Sequence, residues 1–129
     1  MGSWIKCRSN DSYFDKCNFY EILDDGSAIR SIDRHIIDKR GGNKFLKGKI
    51  LSPWLDQDGY ASYGFSIGNQ IKAFRRSRIV GFTFHYSQYF NGAQIRHLDG
   101  SKSNDYPNNI CWGTAYENSS IDKKNMELF

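Results

Sequence analysis

The sequence predicts an α+β fold: a β-rich N-terminal half followed by a strand–loop–strand–helix unit. Three observations predict it. Short apolar or aromatic runs separated by turn residues fill the first part. Between Arg76 and Tyr86 the pattern changes to a longer apolar segment. Beyond that segment, two short strands enclose a polar loop and lead into a helix-capping signal. The same change of pattern divides the chain into a first region, 1–70, and a second, 71–129.

The elements follow in order. Phe19-Tyr20-Glu21-Ile22-Leu23 is an apolar, aromatic run that stops at the turn residues Asp24-Asp25-Gly26, and Ala28-Ile29-Arg30-Ser31-Ile32 follows, which makes a hairpin. Arg40-Gly41-Gly42-Asn43 is a second turn. Lys49-Ile50-Leu51 and Gly59–Phe65 flank Asp56-Gln57-Asp58 and predict another hairpin, weakened by the glycines in its second strand. Ile79, Val80, Phe82 and Phe84 predict a short buried helix, although the alternation from Val80 to Tyr86 also permits a strand. Tyr89-Phe90-Asn91-Gly92 is a turn. Gln94–Leu98 reads as a strand ending at Asp99-Gly100, and Asn109–Trp112 pairs back after a polar loop. Thr114-Ala115-Tyr116-Glu117 is a capping box, which starts a helix with Thr114 as its N-cap.

Composition narrows the function. A chain of 129 residues makes one compact unit or two small ones. No apolar run approaches the roughly 20 residues that span a bilayer, and no apolar stretch of a Sec-type signal follows Met1, so neither a membrane span nor secretion is expected. Nine Phe, eight Tyr and three Trp argue against disorder. Cys7, Cys17 and Cys111 are an odd number, which fits a reducing cytoplasm better than a disulfide framework. A zinc-stabilised interaction module using Cys7, Cys17 and His35 is conceivable, but no short Cys-x-x-Cys clip accompanies them. The net charge is only +4, yet the cations cluster. One cluster runs from Arg30 to Lys49 and a second contains Lys72, Arg75, Arg76 and Arg78 without an acid between them. Two such clusters mark a basic face for a polyanion, where a single charge run is ordinarily a solvated surface.

The last third of the chain resembles the HNH endonucleases, the ββα-metal or His-Me finger nucleases of phage and homing type. The matching residues are His97-Leu98-Asp99-Gly100, Asn104, Asn109-Ile110-Cys111-Trp112-Gly113-Thr114 and Glu117-Asn118, preceded by Ser77-Arg78-Ile79-Val80-Gly81-Phe82-Thr83-Phe84. Trp4, Tyr20-Glu21-Ile22, Asp25-Gly26, Ile29–Arg34, Leu46–Leu51 and Gly59-Tyr60 resemble the region often found in front of such nucleases. An ordered set of this kind is specific, where a lone His-x-Asp-Gly would not be. The resemblance implies a metal-dependent endonuclease, phage-encoded or carried by a mobile element, that hydrolyses double-stranded DNA in a bacterial cytoplasm and nicks one strand per monomer. Its cofactor would be Mg²⁺, with Mn²⁺ as a substitute. Whether it works as monomer or dimer is open.

The resemblance assigns roles that the residue chemistry supports. His97 is the general base, because imidazole titrates near neutrality, or else a hydrogen-bonded structural histidine. Asn109 matches the middle asparagine, which braces the loop and orients the base. Asn118, at N4 after the Thr114 cap, is a metal ligand through its amide oxygen, or a solvated helix residue. Asp99 is a fallback metal ligand, placed on the His97 face by strand alternation, or a turn-forming residue before Gly100. Trp112 and Ile110 read as core beneath the site. Two positions depart from the pattern. Arg96 stands where many members carry a metal-binding Asp, and it could clamp a phosphate instead. Ser77 stands where relatives often have His. These departures permit a rival reading, a DNA-binding or regulatory protein on a catalytically decayed HNH scaffold. Arg30, Arg34, Lys47 and Lys49, on or beside the predicted hairpins, and Arg75, Arg76 and Arg78, upstream of the nuclease motif, are the expected DNA contacts, mostly to phosphates. With the chain ending just past the motif helix, a shorter footprint than that of relatives with an added helical module is expected.

Overall fold

In a computed structural model, residues 2–10, 19–37, 39–67 and 70–116 are described. They hold ten strands in four antiparallel sheets around one central helix. The first sheet contains β1 (Trp4–Lys6), β2 (Tyr20–Leu23) and β3 (Ile29–Ser31). A separate ribbon pairs β4 (Arg34–Ile37) with β5 (Asn43–Leu46). The third sheet contains β6 (Trp54–Leu55), β7 (Ala61–Ile67) and β8 (Gln70–Arg75). Helix α1 (Arg76–Phe84) follows without a break, and β9 (Gln94–His97) and β10 (Ile110–Gly113) form the last hairpin.

The β2–β3 hairpin turns at Asp24–Ser27 as its composition requires, with the Asp25 carboxylate accepting from the Ser27 N–H and hydroxyl. The segment Arg76–Phe84 is helical rather than extended. Ser77, Ile79, Val80, Gly81 and Phe82 are all buried there, so apolar residues nearly surround the axis and blur the helical period. Thr114 directly precedes two helical residues, Ala115 and Tyr116, where the capping signal placed a helix start.

Two strand pairings differ from the expectation. The Asp56–Asp58 turn does not join Lys49–Leu51 to β7; its first strand is Trp54–Leu55. Lys49–Leu51 lies along β3 instead, with the Ser31 N–H donating to the Lys49 carbonyl and the Leu51 N–H to the Ile29 carbonyl. The Asp56 carboxylate closes the real turn on the Asp58 and Tyr60 N–H groups, and only the two preceding residues reach β7 from there. Strand β8 has no counterpart in the sequence reading. It forms the longest ladder of the fold, six pairs from Ser62↔Arg75 to Ile67↔Gln70.

One core joins these pieces. Cys7, just after β1, and Tyr20, Ile22 and Ile29 of the first sheet pack with Tyr63 and Phe65 of β7, Ile79 and Val80 of α1, and Ile110 of β10. A second cluster sets Phe82 against Trp112, with ring centroids 4.7 Å apart, and against Tyr89 at 4.9 Å. Helix and hairpin meet at Gly81: a side-chain carbon there would stand 2.6 Å from Ile95 Cδ1 and 2.7 Å from Trp112 Cζ2. The Trp112 indole N–H donates to the Gly81 carbonyl at 3.2 Å. Trp112 and Ile110 are therefore core, as expected.

Candidate active site

The β9–β10 hairpin and its loop position the candidate residues. His97 ends β9, opposite Ile110. Its ring is buried, 8% exposed, and Nε2 lies 2.7 Å from Oδ1 of Asp105, which is 3% exposed. The other Asp105 oxygen accepts from Arg76 Nε at 2.9 Å. Arg76 also reaches the Ser27 and Ser103 carbonyls at 3.3 and 3.4 Å. Burial works against the charge on Arg76, but hydrogen bonds to Asp105 and Tyr63 and their charges hold its pKa above the ordinary value. Tyr60, from the β6–β7 turn, lies beside the imidazole with centroids 5.7 Å apart. Arg75 stacks over Tyr60 and is itself ion-paired with Asp56 and Asp58. The first and third sheets, α1 and the last hairpin thus all contribute to one site. Among the described residues, none hydrogen-bonds His97 Nδ1.

Asn109 braces the loop. Its Oδ1 accepts from the Asp99 N–H, and its Nδ2 donates to the Asp99 carboxylate and the Asn104 carbonyl. Its side chain thus ties together backbone groups of Asp99 and Asn104 in the turn that follows His97. The Asp99 expectation needs correcting. Strand β9 ends at His97, so alternation does not carry to Asp99, which lies in the turn. Its carboxylate accepts from Asn104 Nδ2, the Ser101 N–H and Asn109 Nδ2. Those bonds, Asn104's first, hold its pKa below the usual carboxylate range. Both oxygens accept hydrogen bonds from the loop. Asn118 lies outside the described residues.

The expected DNA contacts divide into two groups. Arg76 stands apart: its side chain is 15% exposed and ion-paired with Asp105. Arg75 is held by Asp56 and Asp58, and Arg30 donates two hydrogen bonds to Glu21 and stacks over Trp4. Lys47 and Lys49 are exposed and form no ion pair with a described residue. Arg34 lies over the Phe19 ring, and Arg78 lies beside Phe82 and Trp112, both without an ion pair to a described residue. Arg30 and Lys49 line a hollow of about 580 Å³ with Asp33, Gly48 and Ile50. Arg96 pairs with Cys111, and its alkyl stem lies over Gly113 beside the entrance to the following helix.

Sequence reasoning missed Asp105, placed in a featureless polar loop. Its partner His97 is eight positions away across a loop with no periodicity, and its other partner, Arg76, is 29 positions away. The zinc alternative fares differently. Cys7 is wholly buried in the core, where burial raises its thiol pKa and opposes the thiolate that binds zinc. His35 packs on Phe45, and Cys17 lies outside the described residues.

No protein-family profile matches the chain. DNA endonuclease I-HmuI of Bacillus phage SP01 is 34% identical over 67 residues, which are 52% of this chain and 38% of that endonuclease. A solved structure concerning DNA binding and cleavage by the HNH homing endonuclease I-HmuI matches with a TM-score of 0.62 at 25% identity, over 95% of this chain and 58% of that one. The chain therefore spans less than two thirds of the length of this relative.

Proposed function

From the distant homology of this chain to the HNH homing endonuclease I-HmuI in both sequence and structure, we propose that it is a DNA endonuclease. The observation that carries this reading is the placement of His97. It is a buried imidazole on the first strand of a ββ hairpin, with a helix starting directly after the second strand. Such a group takes a proton from the water that attacks a phosphodiester. Asn109 keeps the adjoining turn from moving the ring. Lys47, Lys49, Arg34 and Arg78 are the cations available to phosphates, and Arg96 can reach the backbone near the cut. One His97 per chain implies one strand cut per binding event, so the monomer nicks.

Asn118 offers an amide oxygen of the kind a hard cation takes, while the carboxylates of Asp99 and Asp105 are engaged by the loop and by Arg76 and His97. A bound Mg²⁺ or Mn²⁺ would polarise the phosphoryl group and stabilise the leaving oxygen. The absence of a carboxylate ligand beside His97, where Arg96 stands, favours one second reading, a DNA-binding protein on a decayed nuclease scaffold.

Plasmid nicking separates them. The wild type should convert supercoiled DNA to open circles with Mg²⁺ or Mn²⁺, and His97→Ala should lose roughly 10²–10⁴-fold. Equal nicking by both proteins removes His97 from catalysis. DNA binding without nicking by either protein establishes the second reading.

A further inference from the structure

We propose that Asp105, anchored by Arg76, is a positioning residue that fixes the tautomer of His97, so that Nε2 carries the proton and Nδ1 presents the basic lone pair. The inference rests on the endonuclease reading for its role but not for its geometry. A carboxylate facing a guanidinium can only accept a hydrogen bond, so the 2.7 Å contact with Nε2 requires the proton on that nitrogen. A neutral imidazole carries one proton, so Nδ1 is left with its lone pair.

The carboxylate is held between His97 on one oxygen and Arg76 on the other. Arg76 holds Oδ2 at 2.9 Å and is fixed in turn by the Ser27 and Ser103 carbonyls. The β2–β3 turn seals the loop from behind. Gly26 has φ +75°, and a side-chain carbon there would stand 2.5 Å from the Asp105 carbonyl oxygen. Tyr60 lies beside the imidazole and leaves its Nε2 edge to Asp105. With both partners buried, the contact is shielded from competing water. An asparagine at this position would turn its Oδ1 to the donating Arg76 and its Nδ2 to His97, and so would favour the opposite tautomer.

The test is ¹⁵N NMR of the imidazole in the metal-free, DNA-free full chain, at a pH where the ring is neutral. In wild type the His97 Nε2 resonance should be of the protonated type and Nδ1 of the lone-pair type. Asp105→Asn should move the proton to Nδ1. A wild-type ring protonated at Nδ1, or an Asp105→Asn spectrum identical to wild type, overturns the proposal. The wild-type measurement decides the matter even if the variant does not fold. In nicking assays Asp105→Asn should lower kcat by about 10²–10⁴-fold with KM nearly unchanged, the size expected when a base is held in the wrong tautomer. A variant that lowers only the amount of folded protein, with kcat per folded molecule intact, also overturns it. Because the spectrum does not depend on turnover, a wild type that fails to nick would remove the endonuclease reading and leave the tautomer result standing.

Discussion

Arg76→Met tests whether this arginine is a DNA contact or an internal prop. The substitution keeps most of the alkyl stem and removes the guanidinium. Asp105, 2% exposed at its side chain, would keep only His97 as a partner. Breaking a buried ion pair from one side costs about 3–5 kcal/mol, because the remaining charge is left without compensation. The two longer Arg76 bonds, to Ser27 and Ser103, add to the loss. With an unfolding entropy typical of a chain this size, the melting temperature should fall by roughly 10–18 °C in the absence of DNA. Thermal and urea unfolding followed by circular dichroism measure it, with Lys47→Met as an exposed control expected within about 0.5 kcal/mol of wild type. Replacing both members, Arg76→Met with Asp105→Leu, should cost less than the two single changes summed, since neither charge is then stranded. If Arg76→Met unfolds like the lysine control and changes only DNA affinity, the buried-prop reasoning is wrong.

Three further outcomes follow from the geometry. Gly81→Ala would gain up to about 1 kcal/mol in helix propensity. Its new carbon, however, meets Trp112, which Phe82 and Tyr89 wedge in place, and overpacking costs about 1–3 kcal/mol. The clash should win, and a raised melting temperature would refute the packing account. Asp99 is held below its ordinary pKa, so its contribution to stability is present above the unfolded carboxylate pKa and is lost as pH falls through the folded value. Asp99→Asn should therefore flatten the acid limb of a stability–pH curve, and an unchanged limb would contradict the role of its loop hydrogen bonds. Lys47→Ala and Lys49→Ala should each reduce the salt slope of DNA binding by about 1 without changing thermal stability, measured by fluorescence anisotropy across a salt series.

Strong local signals were legible in the sequence. The Asp24–Gly26 turn, the helix at Arg76 and the start of a helix after Thr114 each rest on residues within a few positions of one another, and the β9–β10 hairpin on strands less than twenty positions apart. The strand β8 was not legible, since the alternation of Gln70-Ile71-Lys72-Ala73 breaks at Ala73-Phe74 and includes one β-branched residue, and the strand is fixed by its ladder to β7. The true partner of β7 was hidden for a similar reason: Lys49–Leu51 reads as a strand either way, and its pairing with β3 is decided by contacts about twenty residues away.

The sequence by itself determined the chemistry on offer: an imidazole, bracing asparagines and two clusters of cations in an order that resembles a nuclease. Only the tertiary structure decided which of those groups face one another. Hydrogen-bond partners and burial are properties of space, and a charge count cannot separate Arg76, locked against Asp105, from Lys47, exposed to solvent. Burial makes the first cation part of the scaffold, while exposure leaves the second available to a polyanion.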